Sequence, residues 1–528
     1  MFSKVLIANR GEIALRVIRA CRELGVRSLA VYSDADVAAP HVREADEAVN
    51  IGPPPSSQSY LLGDRIIEVA KEHRAQAIHP GYGFLSEREW FARAVRDAGL
   101  TFIGPPPEAI AALGSKTAAR SLAVRHDVPV VPGTTEVLTG LDSAREIAAD
   151  FGFPILLKAA AGGGGKGMRV VRDASELESS LGAAQREAKN AFGDDAIYIE
   201  KFIERPRHIE IQVLADKHGN IVSLGERECS VQRRHQKMVE ESPSVAVSSH
   251  LRLAMGEAAV RLVRAAGYVN AGTCEFLLDQ NDDFYFLEMN ARLQVEHPVT
   301  EFVTGIDLVQ WQLRIAAGER LPFVHTEIKP RGWAMECRIT SEDTYNGFLP
   351  STGRIDYLHI PSGPGIRWDG GIETGSEIGL NYDPLLAKLI VWAATRELAI
   401  ERMHRALIEL TIDGIETSRD FHLRLMEDGE FRRGEIDVQW LERRLQSLIN
   451  VRPPEDTLLT ATITAALLAE RDRGGRPVAG NPPPTGGSGT SGWGRSLGAG
   501  APGAVLYNEC APGGTGGWKQ AARLEALR

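Results

Sequence analysis

Short apolar runs alternate with helical patterns over the first part of the chain. The opening run KVLIAN is typical of a strand, and the apolar positions that follow recur at helical spacing, at Ile13, Val17, Cys21 and Leu24. Further apolar runs, SLAVYS, AIHP and TFIG, come later in the same stretch. This strand–helix–strand pattern predicts a parallel sheet that is covered by helices.

Two further stretches differ in size and pattern. The stretch over 130–204 has strand–loop–strand character, with PILLKAA, a glycine run, MRVVR and AIYIEKFI, and we expect a small unit that acts as a mobile lid. The stretch over 205–448 carries longer strand patterns, such as HIEIQVLAD and FYFLEMN, and several helical ones. Beyond it the chain becomes rich in Gly, Pro and Ser, which predicts a disordered tail over 451–528.

Composition and charge narrow the class of protein. A chain of 528 residues is too long for one core and predicts about three to four domains. The net charge of −10 argues against nucleic acid or an anionic membrane surface as the main partner. No apolar run is long enough for a membrane span, and the short N-terminal run does not fit a signal peptide, so we expect a cytoplasmic protein. The five cysteines form no C-x-x-C pair, which favours reduced, buried thiols.

The segment EMNARLQVE places a polar residue at every second position. Alternate side chains share one face of an extended strand, so this pattern predicts one polar face and one face that packs into the core. The apolar set begins at Leu287 and ends at Val295. The polar set is Glu288, Asn290, Arg292, Gln294 and Glu296.

Two interpretations of this polar face are open. Alternation is common on strands that expose one face to water. However, Glu275 lies in another apolar strand pattern, TCEFLL, where an unpaired carboxylate would be costly. Mg²⁺ prefers hard oxygen ligands and often uses one or two carboxylates together with substrate phosphates. We therefore favour a divalent metal site over a solvated face.

The glycine run GGGGKG over 162–167 formally matches G-x-G-x-x-G. The strand pattern MRVVR follows it, whereas a dinucleotide-binding motif requires a helix at that point. Gly167 also stands where a Walker A loop has Ser or Thr. A hairpin tip whose amides close over phosphates is one interpretation, because glycine allows close approach of the backbone. A flexible surface loop is the other, and the run alone does not decide between them.

Three further segments carry polar or basic residues. CSVQRRHQK is a charge run, which by itself is typical of a solvated face. HIEIQVL places His208, Glu210 and Gln212 on one strand face, although a single histidine there is more often structural. HPGYGFLSE indicates a tight loop after a strand, and such loops at the ends of parallel strands often bind ligands.

Assembled in order, these motifs closely resemble biotin carboxylase, the ATP-grasp component of acetyl-CoA carboxylase and related biotin-dependent carboxylases. The resemblance runs over 2–445 and rests on IANRGEIA, HPGYGFLSE, KAAAGGGGKGM, ERECSVQRRHQK, EMNARLQVEHPVTE and MECRI. It implies an α/β fold with four domains. They are a Rossmann-like N-terminal domain over 1–115, an ATP-grasp lid over 130–204, an ATP-grasp core over 205–330 and a C-terminal biotin carboxylase domain over 331–448.

The resemblance also implies the cofactors, which are ATP, Mg²⁺ or Mn²⁺, and biotin. The metal ligands it implies are Glu275, Glu288 and Asn290. The residues it places around ATP are Lys116, Lys158, Gly162, Gly163, Gly164, Gly165, Glu200, Ile203, His208, Gln232 and His235.

The roles at the reacting end of the site are likewise those of the family. Lys237, Arg292, Gln294 and Val295 would position bicarbonate. Glu296 would be the general base that takes the bicarbonate proton. Arg338 would bind biotin and stabilise its enolate. The catalytic set is therefore Glu296, Arg338, Arg292 and Lys237.

The implied reaction is carboxylation of biotin on a carrier protein through carboxyphosphate, the first half-reaction of acetyl-CoA carboxylase. No Ala-Met-Lys-Met-type motif is present, so we expect biotin on a separate carrier, together with a carboxyltransferase subunit. A homodimer is implied by the family alone, with Arg19 and Glu23 at positions that the family uses for its dimer surface.

Three alternatives differ in acceptor or in class. The same half-reaction could serve propionyl-CoA, another acyl-CoA or pyruvate, because a partner protein selects the acceptor. A different ATP-grasp ligase would join a carboxylate to an amine, against which RRHQK and the segment from Glu296 to Pro298 argue. A non-enzymatic scaffold would be expected to have lost charged site residues, and all of them are present.

Overall fold

The structure is a computed structural model that describes residues 1–134, 137–138, 140–159, 168–192, 194–323, 328–450 and 455–474. The chain forms two units, Met1–Ile449 and Asn450–Arg528. Four of the cysteines, Cys21, Cys229, Cys274 and Cys337, are buried free thiols, as predicted, whereas Cys510 lies outside the described residues. None of the helices in the described ranges combines the length and apolarity that crossing a bilayer requires.

The N-terminal part is a parallel sheet with helices packed around it. Its five strands have the order β3-β2-β1-β4-β5, and every neighbouring pair is parallel, which confirms the prediction. The first helix buries Ile13, Val17 and Cys21 on one face, as their spacing predicts. The elements are β1 Lys4–Ile7, α1 Gly11–Glu23, β2 Arg27–Tyr32, α2 Pro40–Glu44, β3 Glu47–Asn50, α3 Gly63–Glu72, β4 Ala77–His79, α4 Glu89–Asp97, β5 Thr101–Phe102, α5 Pro107–Gly114 and α6 Lys116–Arg125.

A small antiparallel sheet of order β7-β6-β8 follows, with two helices against it. Alternate residues of β6 are buried, among them Ile155 and Leu157, and they form a separate apolar core with the helices. The glycine run lies outside the described residues. The elements are α7 Leu141–Phe151, β6 Ile155–Ala159, β7 Met168–Val171, α8 Leu177–Phe192 and β8 Ile197–Lys201.

The rest of this unit is organised by one antiparallel sheet of eight strands. Its order is β13-β12-β9-β10-β11-β14-β21-β19, so strands from both sides of position 330 hydrogen bond in one continuous sheet. The first elements are β9 Arg207–Ala215, β10 Ile221–Arg233, β11 Gln236–Ser242, α9 Ser249–Ala265, β12 Asn270–Leu278, β13 Phe284–Asn290, α10 His297–Thr304, α11 Leu308–Ala316 and β14 Trp333–Thr340.

The final part of the unit packs helices on the far end of this sheet. Apolar residues of β14, β21, α12 and α13 form its largest buried cluster, which includes Trp440. The elements are β15 Glu342–Asp343, β16 Leu349–Pro350, β17 Gly353–Arg354, β18 Tyr357–His359, β19 Ile366–Gly370, β20 Glu377–Ile378, β21 Leu385–Ala393, α12 Arg396–Glu409, β22 Thr411–Asp413, α13 Arg419–Glu427, α14 Gly429–Arg433 and α15 Trp440–Ile449.

The second unit differs from the prediction at its start. Glu455–Gly474 form a helix, α16, so the prediction of a disordered tail from 451 onward was wrong for this segment. The segment is rich in Leu and Ala, which favour helix, and the Gly- and Pro-rich composition that motivated the prediction begins only after it. Residues 475–528 lie outside the described part of the chain.

Candidate active site

A cavity of about 820 Å³ lies over one face of the large sheet, where β9 to β14 meet the small sheet. Every sequence-predicted site residue whose side chain the structure describes lines this cavity. These residues are Lys158, Glu200, Ile203, His208, Gln232, His235, Lys237, Glu275, Glu288, Asn290, Arg292, Gln294, Val295, Glu296 and Arg338. The side chain of Lys116 and the glycines from Gly162 to Gly165 lie outside the described residues.

The expected strand over 288–296 ends early. Strand β13 stops at Asn290, and residues 291–296, which we call the 291–296 loop, are irregular up to the start of α10. The predicted alternation is therefore wrong beyond Asn290. It is also wrong at Leu287, which is exposed at the cavity instead of packing into the core.

Two charged side chains from distant parts of the sequence hold the 291–296 loop. Glu87, in the HPGYGFLSE segment, accepts hydrogen bonds from the Ala291 amide and from Arg292 Nε, both at 3.0 Å. Lys388 on β21 is fully buried and donates to the Val295 carbonyl at 2.9 Å. Each contact satisfies a backbone group that has left the sheet, so the loop is fixed near both ends.

Lys237 is the central cation of the site. Its Nζ lies 2.6 Å from Glu210, 3.0 Å from Glu275 and 2.6 Å from Glu296. Burial alone would lower the pKa of Lys237, but these carboxylates raise it well above its usual value. The ammonium group is therefore charged at neutral pH and binds carboxylates from three different segments.

Glu296 is ionised although it is almost completely buried. Burial by itself raises its pKa, but Lys237, Arg338 and Arg227 together hold the pKa well below its usual range. Its two oxygens are divided between the cations, with Oε1 at 2.6 Å from Lys237 and Oε2 at 2.9 Å from Arg338. Glu296 is therefore unprotonated at neutral pH, which is the form that a general base requires.

A second cation, Arg227, lies below the cavity floor and was not singled out from the sequence. Its side chain is fully buried, and it donates to Glu210 at 2.5 Å and to Gln294 at 2.8 Å. It also donates to Gln212, Thr273 and Thr300. The alternating polar residues of HIEIQVL carried the available signal, because a buried strand face with Glu and Gln requires a partner that supplies several donors.

Glu275 differs from the expectation of an unpaired carboxylate. Besides Lys237, it lies 3.2 Å from His208, and both Asn290 and Gln294 donate to its Oε1 at 2.9 Å. Burial raises its pKa, yet Lys237 and His208 more than reverse that effect. Glu275 is therefore paired within the protein, so its burial does not by itself require a divalent cation.

The donor set nevertheless fits a hard divalent cation. Glu275 and Glu288 are directly opposite each other on the antiparallel strands β12 and β13, so their side chains share one face. Asn290 is on the same face and lines the same cavity. Carboxylate and amide oxygens beside a cavity are the ligands that Mg²⁺ uses together with substrate phosphates.

The other end of the cavity is formed by the small sheet and the turn between β10 and β11. Lys158 forms a part-buried ion pair with Glu200 across β6 and β8. Arg234 and His235 make the turn with positive φ angles of 48° and 65°, and both residues line the cavity. Lys158 is the cationic group at this end of the cavity and Glu200 the acidic one, while Leu156 and Leu287 supply apolar walls. Such a lining suits a ligand with an apolar ring and a charged tail.

The fold and these residues match one protein family along most of the chain. Three family descriptions match, namely the N-terminal domain of biotin carboxylase over 1–110, the ATP-binding domain of the carbamoyl-phosphate synthase L chain over 115–324, and the C-terminal domain of biotin carboxylase over 336–443. The biotin carboxylase of Nostoc sp. is 51% identical over 84% of this chain and 99% of its own length.

Other relatives are longer, and solved structures agree on the fold. Methylcrotonoyl-CoA carboxylase subunit alpha of Mus musculus is 49% identical, and this chain spans 65% of its length. The biotin carboxylase domain dimer of Hydrogenobacter thermophilus 2-oxoglutarate carboxylase, solved with MgADP, ADP and bicarbonate, has a TM-score of 0.78 and 47% identity, with 86% of this chain and 100% of that chain covered.

The protein therefore has an α/β fold with an ATP-grasp domain between two flanking domains. It belongs to the biotin carboxylase family.

Proposed function

We propose that this protein catalyses the ATP- and bicarbonate-dependent carboxylation of biotin on a carrier protein. The observation that carries the proposal is the ionised, buried Glu296 between Lys237 and Arg338 at the edge of a large cavity. A base, a fixed cation on each side of it and a site for a nucleotide are the groups that this reaction needs at one place.

The residues divide the reaction between them. Glu296 takes the proton of bicarbonate, whose oxygen then attacks the γ-phosphorus of ATP while ADP leaves. Lys237, Arg292 and Gln294 hold the bicarbonate, and Lys158, His208 and Glu200 hold the nucleotide. Mg²⁺, when bound by Glu275, Glu288 and Asn290, offsets negative charge on the phosphates.

The second step transfers the carboxyl group. Carboxyphosphate breaks down to CO2 and phosphate, and the phosphate takes the proton from the ureido nitrogen of biotin. That nitrogen then attacks CO2. Arg338, whose guanidinium lines the cavity, stabilises the oxyanion that biotin carries between these events.

The wider setting rests on the relatives. We propose that the carboxyl group passes from biotin to acetyl-CoA through a carboxyltransferase partner, and that the chain forms a homodimer. Relatives at similar identity are named for other acceptors, among them propionyl-CoA in Ruegeria pomeroyi and pyruvate in Methanothermobacter thermautotrophicus, so those acceptors are the competing assignments. Assays with candidate carriers and carboxyltransferases, each offered acetyl-CoA, propionyl-CoA and pyruvate, distinguish them.

The biochemical test is ATP hydrolysis by the purified full chain. We expect ATP hydrolysis to require bicarbonate. The rate should rise with the concentration of free biotin until it saturates, because biotin consumes the CO2 that carboxyphosphate releases. Labelled bicarbonate should appear in carboxybiotin. Stimulation by an amine substrate in place of biotin would instead identify a ligase that joins a carboxylate to an amine.

Removal of divalent cations should abolish this activity. The candidate metal ligands Glu275 and Glu288 face one another across β12 and β13, where a bound dication would offset the charge of the phosphates. EDTA should therefore stop hydrolysis, and added Mg²⁺ or Mn²⁺ should restore it. Titration in the presence of ADP should show tight metal binding that Glu288→Gln weakens, and undiminished binding by that variant would contradict the assignment of Glu288.

A further inference from the structure

Arg338 is shared between two buried carboxylates. Its Nε donates to Glu240 at 2.6 Å, and its Nη2 lies 2.5 Å from the same Glu240 and 2.9 Å from Glu296. Glu240 on β11 is fully buried and does not line the cavity, whereas Arg338 and Glu296 do. Glu240 therefore contacts the guanidinium of Arg338 on the side that faces away from the cavity.

Glu240 is not a fully satisfied structural partner. Its Oε2 has no hydrogen-bond partner among the described residues. Directly opposite it on β14 is Glu336, equally buried, and both of its oxygens also lack a partner in the same ranges. A purely structural buried pair gains little over apolar residues of the same volume, so an incompletely paired one is costly to keep.

The electrostatics around this pair give Glu240 an unusual charge state. Burial raises its pKa, and Glu296 adds to that, while Arg338 opposes both, with the result that the pKa lies at about 7. The titratable and charged groups that face it are Arg338, Glu296, Lys237, Glu336, Cys229 and Cys337. Glu240 is therefore ionised above neutrality and loses its charge below it.

We propose that Glu240 is a positioning residue, which holds the guanidinium of Arg338 away from a closed pair with Glu296 and towards the oxyanion of biotin. This inference rests on the proposed function of Arg338. Without the charge of Glu240, Arg338 has Glu296 as its remaining anionic partner and turns to it with both nitrogens. The cation is then withdrawn from biotin, and the nucleotide end of the cavity is unaffected.

The test compares Glu240→Gln with Glu336→Gln as a matched control. The two residues are equally buried and directly opposite each other, but only Glu240 bonds to Arg338. For Glu240→Gln we expect biotin carboxylation to fall by about tenfold or more with a raised KM for biotin, since small displacements of a catalytic group have effects of this size. The KM for ATP should change little. Glu336→Gln should carboxylate biotin at close to the wild-type rate.

The pH profile supplies a readout that a structural role would not change. The wild-type rate with biotin should decline as the pH falls through about 7, where Glu240 gains a proton, and the rate of Glu240→Gln should lack this decline. Glu240→Asp keeps the charge and should recover part of the loss, which also covers the case in which the glutamine variant does not fold.

The inference is overturned if Glu240→Gln matches Glu336→Gln, if it loses ATP binding in parallel with biotin carboxylation, or if the acidic decline persists in it. Absence of biotin-stimulated hydrolysis in the wild type would overturn the proposed function itself, which is a different result.

Discussion

Glu296→Gln is expected to lower bicarbonate-dependent ATP hydrolysis by about 10²–10⁴-fold, the usual contribution of a general base, while nucleotide still binds. Glutamine has nearly the same shape, but its single oxygen can accept from only one of the two donors, Lys237 and Arg338, and it cannot take up a proton. The nucleotide residues lie at the other end of the cavity, so calorimetric binding of ADP should remain close to that of the wild type.

Glu301→Gln is the control for this experiment. Glu301 is also buried and paired with two arginines, Arg16 and Arg367, but it does not line the cavity. This variant should retain bicarbonate dependence, whatever its effect on stability. Hydrolysis by Glu296→Gln within a few-fold of the wild-type rate would remove Glu296 as the base.

Arg227→Met should lower the free energy of unfolding more than any other substitution proposed for this chain. The guanidinium satisfies five side chains, and its removal leaves the buried carboxylate of Glu210 with Lys237 as its remaining cation. Breaking a buried ion pair by removing one partner costs about 3–5 kcal/mol, since a buried charge is left without compensation. Urea unfolding followed by tryptophan fluorescence should show a clear decrease in the midpoint.

An exposed arginine gives the comparison for Arg227. Arg43 forms an ion pair with Glu373 in which both side chains are about half exposed, at 52% and 44%. Exposed pairs contribute about 0–1 kcal/mol, so Arg43→Met should leave the midpoint almost unchanged. If Glu210 is the reason for the loss, Arg227→Met combined with Glu210→Gln should regain part of it. Equal midpoints for Arg227→Met and Arg43→Met would contradict this account.

The spacing of apolar residues predicted a helix or strand correctly where the regular element continues over the whole pattern. The spacing of Ile13, Val17 and Cys21 predicted α1, and all three are buried, although most other residues of this helix are buried as well. The same logic failed after Asn290, since strand alternation and a loop that carries every second polar residue look alike in sequence. The strand ends there because Glu87 and Lys388, both distant in sequence, bind the loop backbone.

Residues that act through other residues were harder to find. Neither Glu240 nor Arg227 lines the cavity, but Glu240 contacts Arg338 and Arg227 contacts Gln294, which both do. A motif shows residue types at fixed spacing but not which side chains meet across a sheet. The resemblance named the residues that line the cavity, whereas the contacts beneath them depend on how the strands pair in three dimensions.

The support of the 291–296 loop has a consequence for protein engineering. Glu87 comes from the N-terminal Rossmann-like region and Lys388 from β21 near the other end of the unit, and Lys388 lies 3.2 Å from Glu12 at the start of α1. A chimera that exchanges only the nucleotide-binding segment for that of a homologue would therefore separate the loop from both of its anchors. Such a chimera should retain activity only when the segments that contain Glu87 and Lys388 are exchanged together with the loop. The part of the chain that must be exchanged as one piece therefore covers most of the sequence.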